Sequence, residues 1–427
     1  MYTYSSRLAF TSALLLWVLG CISSCSSNNT VVPTTDSPLI AFDSVGYYSK
    51  GRIQAVVDSA LDVFMTGRNL PPSEFRSRLV SARHGVRLYK VSYTSLIPEM
   101  NNRVATAYGL IAIPDSILPG APIVSYQHGA VFDRSWVPSN PDGSIEIQFQ
   151  LSQFASQGYI VIAADYFGTT AGTTVPNSFG AFANAAQACL DHLRASKQVL
   201  AKKNIVPGKL FLSGWSQGGA VTNAFLQRLE REQIPVAAAV TASGPVDLVG
   251  FISRPVNDPP PFLAPSFPVA IMNTLITFEM YYGLNGLVAE SIQSPFVDAA
   301  RKFHEFEIPF STFYEAVLFD KQQQRIRTMK ELFTQKFLDD SKTATAAFWK
   351  KLDDLNGYRQ LLRTPYRSFY SYRDEGVLAE TVTPMISYQK SMGNTTIEGF
   401  DAGPNADHAS VYLESIISAK PWFDSIR

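Results

Sequence analysis

Cysteine is scarce in this chain, histidine is hardly commoner, and charge is sparse and balanced. Its 427 residues include three Cys and five His, while Asp, Glu, Lys and Arg make up 17%, 36 of each sign. Zero net charge and sparse charged residues give no sign of the basic face that nucleic-acid binding requires, so no nucleic-acid partner is expected. Neither H-E-x-x-H nor a paired C-x-x-C occurs, so no metal and no other cofactor is called for. No internal repeat is present. Two of the cysteines, Cys21 and Cys25, fall in the first 25 residues. If Cys21 leaves with that leader and Cys25 is acylated, Cys189 stands alone and no intramolecular disulfide is possible. Cys189 sits in a helical run and is expected as a small core residue. Aromatic residues reach 12%, which suits apolar pockets.

The N-terminus reads as a leader rather than as part of the fold. Arg7 precedes an apolar stretch, Leu8 to Leu19, too short to span a bilayer. Val18-Leu19-Gly20-Cys21 and Ile22-Ser23-Ser24-Cys25 both resemble a bacterial lipobox. Cys25 is the better candidate, because a polar tract starts directly after it. Acylation there would anchor an exported protein to the cell envelope without a spanning helix. The alternative is a secretory signal cut near Ser24. Residues 26–43 read as a flexible Ser/Asn/Thr/Pro tether.

Beyond the tether, strand and helix patterns alternate. Ile53, Val56, Val57, Ala60, Leu61 and Phe64 keep helical spacing. Strands are expected at 86–93, 105–114 and 121–126, and in the apolar run 158–165, with helices at 144–157 and 178–203. The elbow strand 210–213, its helix and the strand 236–243 follow. This alternation predicts an α/β protein with a doubly wound, mostly parallel sheet, whose ligands bind beyond the carboxyl ends of the strands. From 251 to 363 strands give way to helical runs, including 269–278 and 325–333. This stretch reads as a helical cap inserted between a first core part, 44–250, and a second, 364–427. The second part holds strands near 366–372 and 395–400 and a terminal helix.

Gly214-Trp215-Ser216-Gln217-Gly218 closes an apolar strand and opens a helix, the G-x-S-x-G pattern of a nucleophile elbow. A serine nucleophile needs a base, and the base needs an orienting acid. Of the five histidines, His84 reads as surface, His192 as a helix-face residue, His304 as lid surface and His128 as part of an early loop. His408 alone lies in a loop after the last strand. Asp374 follows a strand lying between Ser216 and His408 in the chain; Glu375 is the rival acid. Asp407, adjacent to His408, reads as a loop carboxylate. Asp353 and Asp354 read as solvated helix charges.

On these residues, with Gln127-His128-Gly129-Ala130, the chain resembles the α/β-hydrolases, nearest in character to secreted lipase and esterase branches with a helical cap. The resemblance implies a triad of Ser216, His408 and Asp374 cleaving a small-molecule or lipid ester through an acyl-enzyme. The N–H of Gln217 would bind the oxyanion, with a second donor from the His128 loop, at Ala130. The sequence departs from the family's glycine run there, since Ala130-Val131 follows His128-Gly129. Phe278, Tyr281, Tyr282, Phe306, Phe310, Phe313 and Tyr314 would either line an acyl pocket or form the cap's own core. A serine peptidase of the same fold and a non-catalytic, surface-anchored binding protein are the competing readings.

Overall fold

The computed structural model describes residues 38–318 and 328–427. The leader, with Cys21 and Cys25, lies outside the described residues. Among the described residues nine strands form one sheet: β1 (Leu39–Tyr48), β2 (Val86–Ile97), β3 (Arg103–Pro114), β4 (Ile123–Gln127), β5 (Ile160–Ala164), β6 (Leu210–Trp215), β7 (Ala238–Ala242), β8 (Tyr366–Tyr370) and β9 (Ile397–Asp401). Their spatial order is β1-β2-β3-β5-β4-β6-β7-β8-β9. The β1–β2, β2–β3 and β3–β5 pairs are antiparallel, and every pair from β5 to β9 is parallel.

Strand β1 starts at Leu39, inside the stretch read as tether to residue 43. Leu39 pairs with Tyr93 and Phe42 with Val91, and the Ile, Phe, Val and Tyr residues of this segment suit an edge strand.

The helices are α1 (Lys50–Phe64), α2 (Pro72–Arg76), α3 (Ile145–Gln153), α4 (Phe182–Lys202), α5 (Gln217–Arg231), α6 (Leu248–Asn257), α7 (Phe267–Tyr281), α8 (Leu287–Ser291), α9 (Ser294–His304), α10 (Phe310–Leu318), α11 (Gln335–Thr343), α12 (Ala347–Asp354), α13 (Ala379–Ser391) and α14 (His408–Ile426). The sheet's side chains alternate between two cores. Leu210 and Leu212 of β6 pack with α4 and α5, while Phe211 packs with α1, α3 and α14. Strands buried on both faces explain the unbroken apolar runs of β5 and β6. Cys189 is a buried free thiol in the first core.

Helices α6 to α12 build a third core of their own, including Phe278, Phe313, Phe337 and Trp349. The described part of the helix expected at 325–333 holds a 3-10 turn, Met329–Leu332, opened by a Thr328–Glu331 capping box. Residues 325–327 lie outside the described residues.

Two features of this architecture position a site. The chain leaves β4 for β5 on one side, then returns through α4 to β6 on the other, so the loops after β4 and β6 diverge at a topological switch point. At β6 the turn into α5 is extremely tight. A Cβ on Gly218 would lie 1.9 Å from the carbonyl oxygen of Gln127. Glycine is what lets α5 start directly against the end of β4.

Candidate active site

Ser216 occupies the turn between β6 and α5 with φ 56° and ψ −123°, a conformation L-residues avoid. Its N–H donates to the Ala242 carbonyl (2.8 Å) at the end of β7, and its own carbonyl accepts from Gly219 (2.9 Å). Strand and helix ends thus over-determine a strained residue.

His408 is the first residue of α14. Asp407 caps this helix, accepting from the Ser410 N–H at 3.0 Å and from the Asn69 N–H at 3.0 Å. The His408 Nδ1–H lies 2.9 and 3.0 Å from the two carboxylate oxygens of Asp374, which follows β8. Asp374 is 1% exposed and the His408 side chain 14%. Asp374 Oδ1 also accepts from the N–H groups of Gly376 and Val377, both at 2.8 Å, and Oδ2 accepts from the Ser243 hydroxyl. Those donors stabilise a buried carboxylate that would otherwise be costly. Trp215, the variable residue inside the elbow motif, donates its indole N–H to the His408 carbonyl (3.1 Å), and its ring lies 4.8 Å from the imidazole.

Glu375 does not face the imidazole. Its Oε2 accepts the backbone N–H of His408 (2.9 Å), and its other oxygen pairs with Arg68. Burial pulls the His408 pKa down. The charge and hydrogen bond of Asp374, with the charge of Glu375, outweigh it and hold the group above its ordinary value. Glu375→Gln removes one of these anions and leaves Arg68 unpaired. The His408 titration midpoint is therefore expected to fall, read from its imidazole resonances by NMR; an unmoved midpoint would contradict this picture.

Ser216, Gln217, Ala130 and His408 all line one cavity of about 710 Å³, a size typical of small-molecule sites. Much of its wall is aromatic or aliphatic: Phe132, Phe179 and Trp215 from the core, and Phe251, Ile252, Phe267 and Leu352 from α6, α7 and α12. Arg68, Glu146 and Glu375 are its charged members. The seven cap aromatics singled out in the sequence are not among the lining residues. Phe278 and Phe313 belong to the cap core, and Tyr282, Phe310 and Tyr314 pack against it. The backbone N–H groups of Gln217 and Ala130 meet no acceptor among the described residues. For Gln217 this follows from its place at the start of a helix.

The other histidines stand apart from this pair. His304, expected on the lid surface, is fully buried, with Nδ1 3.2 Å from Asn273 Oδ1. His192 is buried as well, and its pKa is pushed down to about 3 by burial. His128 stacks on Tyr166 at 4.0 Å, and burial pushes it down to about 4, so it stays neutral. His84 is partly exposed. Asp353 and Asp354 are exposed on α12. Among the described residues no group of His, Cys, Asp and Glu side chains is arranged to hold a metal. Glu146, Ser243 and Arg68 carried no signal in the sequence; only Ser243, at the end of the strand beside the elbow strand, could have been found from topology.

A model of the prolyl oligopeptidase family matches residues 145–257, which include the elbow but neither Asp374 nor His408. A search of curated proteins finds no match. Among solved structures, the chain is similar to the rice cell wall degrading esterase LipA from Xanthomonas oryzae. That likeness has a TM-score of 0.76 at 18% identity, covering 92% of this chain and 100% of the other. Candida antarctica lipase A in its closed state is similar with a TM-score of 0.60 at 14% identity, covering 87% and 77%. Sheet order, elbow and these likenesses agree: the chain has the α/β-hydrolase fold, with a helical cap between β7 and β8.

Proposed function

We propose that this protein is a serine hydrolase of carboxylic esters. The reading rests above all on one observation: a buried, fully hydrogen-bonded Asp374 fixes His408, which opens with the strained Ser216 on the same largely apolar cavity. Because Nδ1 donates to Asp374, Nε2 is left as the basic nitrogen. His408 takes the Ser216 Oγ proton as Oγ attacks the ester carbonyl. The N–H groups of Gln217 and Ala130 receive the oxyanion. The C–O bond then breaks, the alcohol leaves with the proton from His408, and an acyl-Ser216 remains. Water, deprotonated by His408, releases the carboxylic acid.

The apolar wall favours ester substrates over peptides, whose backbone groups need hydrogen-bonding partners. The esterase and lipase likenesses point the same way, while the prolyl oligopeptidase match favours a peptidase. Turnover of p-nitrophenyl esters from acetate to palmitate, beside a panel of peptide p-nitroanilides, separates the two. Ester turnover that disappears in Ser216→Ala supports the proposal; hydrolysis of the anilides alone would replace it with the peptidase reading.

We propose also that the protein is exported and held at the cell envelope by acylation of Cys25. No helix among the described residues is long and apolar enough to cross a membrane. Cys25→Ser is then expected to move the protein from the membrane to the soluble fraction on centrifugation. Unchanged fractionation would count against the anchor.

A further inference from the structure

Glu146 enters the site from the first turn of α3, and the chemistry above makes no use of it. Its Oε2 accepts the N–H of Gly129 at 2.9 Å and the hydroxyl of Tyr126. Gly129 lies between His128 and Ala130 in the loop after β4. Two other bonds tie this loop: the Tyr166 hydroxyl donates to the His128 carbonyl (3.1 Å), and the His128 Nδ1–H donates to the Gly129 carbonyl (2.8 Å). A Cβ on Gly129 would lie 3.1 Å from Glu146 Oε1, so carboxyl and loop are packed against each other. The next donor along the loop, the Ala130 N–H, meets no acceptor among the described residues.

We propose that Glu146 is a positioning residue for the oxyanion pocket: by taking the Gly129 N–H it holds the loop in the form that leaves the Ala130 N–H free for substrate. The inference rests on the ester-hydrolase reading. A carboxylate accepts a backbone N–H more strongly than a neutral carboxyl does, so the hold depends on the charge of Glu146. The groups facing it are Tyr126 from β4, and His408 and Tyr412 from α14, the Tyr412 hydroxyl donating to the Glu146 carbonyl at 3.3 Å. Arg68 and Glu375 share the cavity wall. Burial pushes the Glu146 carboxyl up to about 7, against the Tyr126 and Gly129 hydrogen bonds and the charge of His408, which lower it. The loop is therefore held above this pH and loosened below it. Activity then requires a charged Glu146 together with a neutral His408, and the acidic limb of the rate profile contains two ionisations.

The test uses Glu146→Gln and Glu146→Ala on the full chain. It reads kcat and KM for a p-nitrophenyl ester over about pH 5 to 9, and hydrogen exchange in the peptide spanning residues 127–131. Gln places an amide oxygen there, a better hydrogen-bond acceptor than a protonated carboxyl and one that does not titrate. It is expected to retain most of the alkaline kcat, to move the acidic limb to lower pH and to reduce its slope to one ionisation. Ala is expected to lower kcat by about 100-fold with little change in KM, the scale of losing one oxyanion donor, and to speed exchange at Gly129. A Glu146→Gln profile that overlays the wild type, or unchanged exchange in Glu146→Ala, overturns the proposal. Should the wild type turn over no ester, the reading of Ser216 fails, and the exchange comparison still decides whether Glu146 holds the loop.

Discussion

Ser216→Ala is expected to lower kcat toward carboxylic esters by about 10^6-fold, the scale of removing a serine nucleophile from an intact triad. Without Oγ no acyl-enzyme forms, and His408 has no proton to take. The fold should survive the change. Alanine keeps the Cβ that makes φ 56° unfavourable, so the backbone strain is the same in both proteins. The bonds that hold the turn, from the Ser216 N–H to Ala242 and from Gly219 to the Ser216 carbonyl, are backbone bonds and persist. Melting temperature should therefore match the wild type, while a phosphonate ester that adds mass to the wild-type chain should leave the variant unlabelled. A variant that keeps wild-type kcat would remove Ser216 from the mechanism.

Asp374→Asn is expected to cost about 10^4-fold in kcat with KM nearly unchanged, through the tautomer of His408. Every group around the Asp374 carboxylate is a donor: the N–H groups of Gly376 and Val377 on Oδ1, the Ser243 hydroxyl on Oδ2, and His408 Nδ1–H across both. An asparagine must turn its NH2 toward one of them. The two backbone N–H groups are fixed donors and keep the oxygen, whereas the Ser243 hydroxyl can rotate to accept. The NH2 then faces His408 Nδ1 from the Oδ2 side, which favours Nδ1 as an acceptor and the proton on Nε2. An imidazole protonated at Nε2 cannot deprotonate Ser216. The variant should also titrate His408 at lower pH than the wild type, because the anion that raises it has gone. Glu375→Gln, one residue away, alters the bond to the His408 backbone and the Arg68 pair but leaves the Nδ1–carboxylate contact in place, and should cost far less. If the two substitutions reduce kcat equally, the imidazole partner has been misassigned.

Much of this arrangement is legible from residue order alone. An apolar strand running into Gly-x-Ser-x-Gly can hardly be accommodated except as a sharp turn, because the small residues admit the close approach seen between Gly218 and Gln127. The alternation of unbroken apolar runs with helical periods implies a sheet covered on both faces, and the two cores sharing β5 and β6 show that arrangement. The pairing of His408 with Asp374 could be anticipated because both follow strands, and parallel strands deliver such loops to one edge. Elsewhere local pattern was misleading. Leu39–Phe42 follows directly on a polar tract, yet this apolar run pairs with β2. Of the cap aromatics that could serve either as pocket lining or as cap core, Phe278 and Phe313 pack inward in the cap, while Tyr281 joins the first core of the sheet. His304 carries no mark that separates a buried histidine from an exposed one.

The sequence by itself determined the fold class, the elbow and the order of the three residues proposed for the triad. Each of these is written in short-range sterics or in hydrophobic period, which act between residues a few positions apart. Only the tertiary structure decided the wall and second layer of the site. Glu146 meets Gly129, Arg68 meets Glu375, Trp215 meets His408 and Ser243 meets Asp374. Those contacts join separate segments whose proximity follows from strand order, and strand order follows from how the whole chain buries its apolar surface. No local pattern encodes them, because the same side chains would serve equally well in a solvated loop.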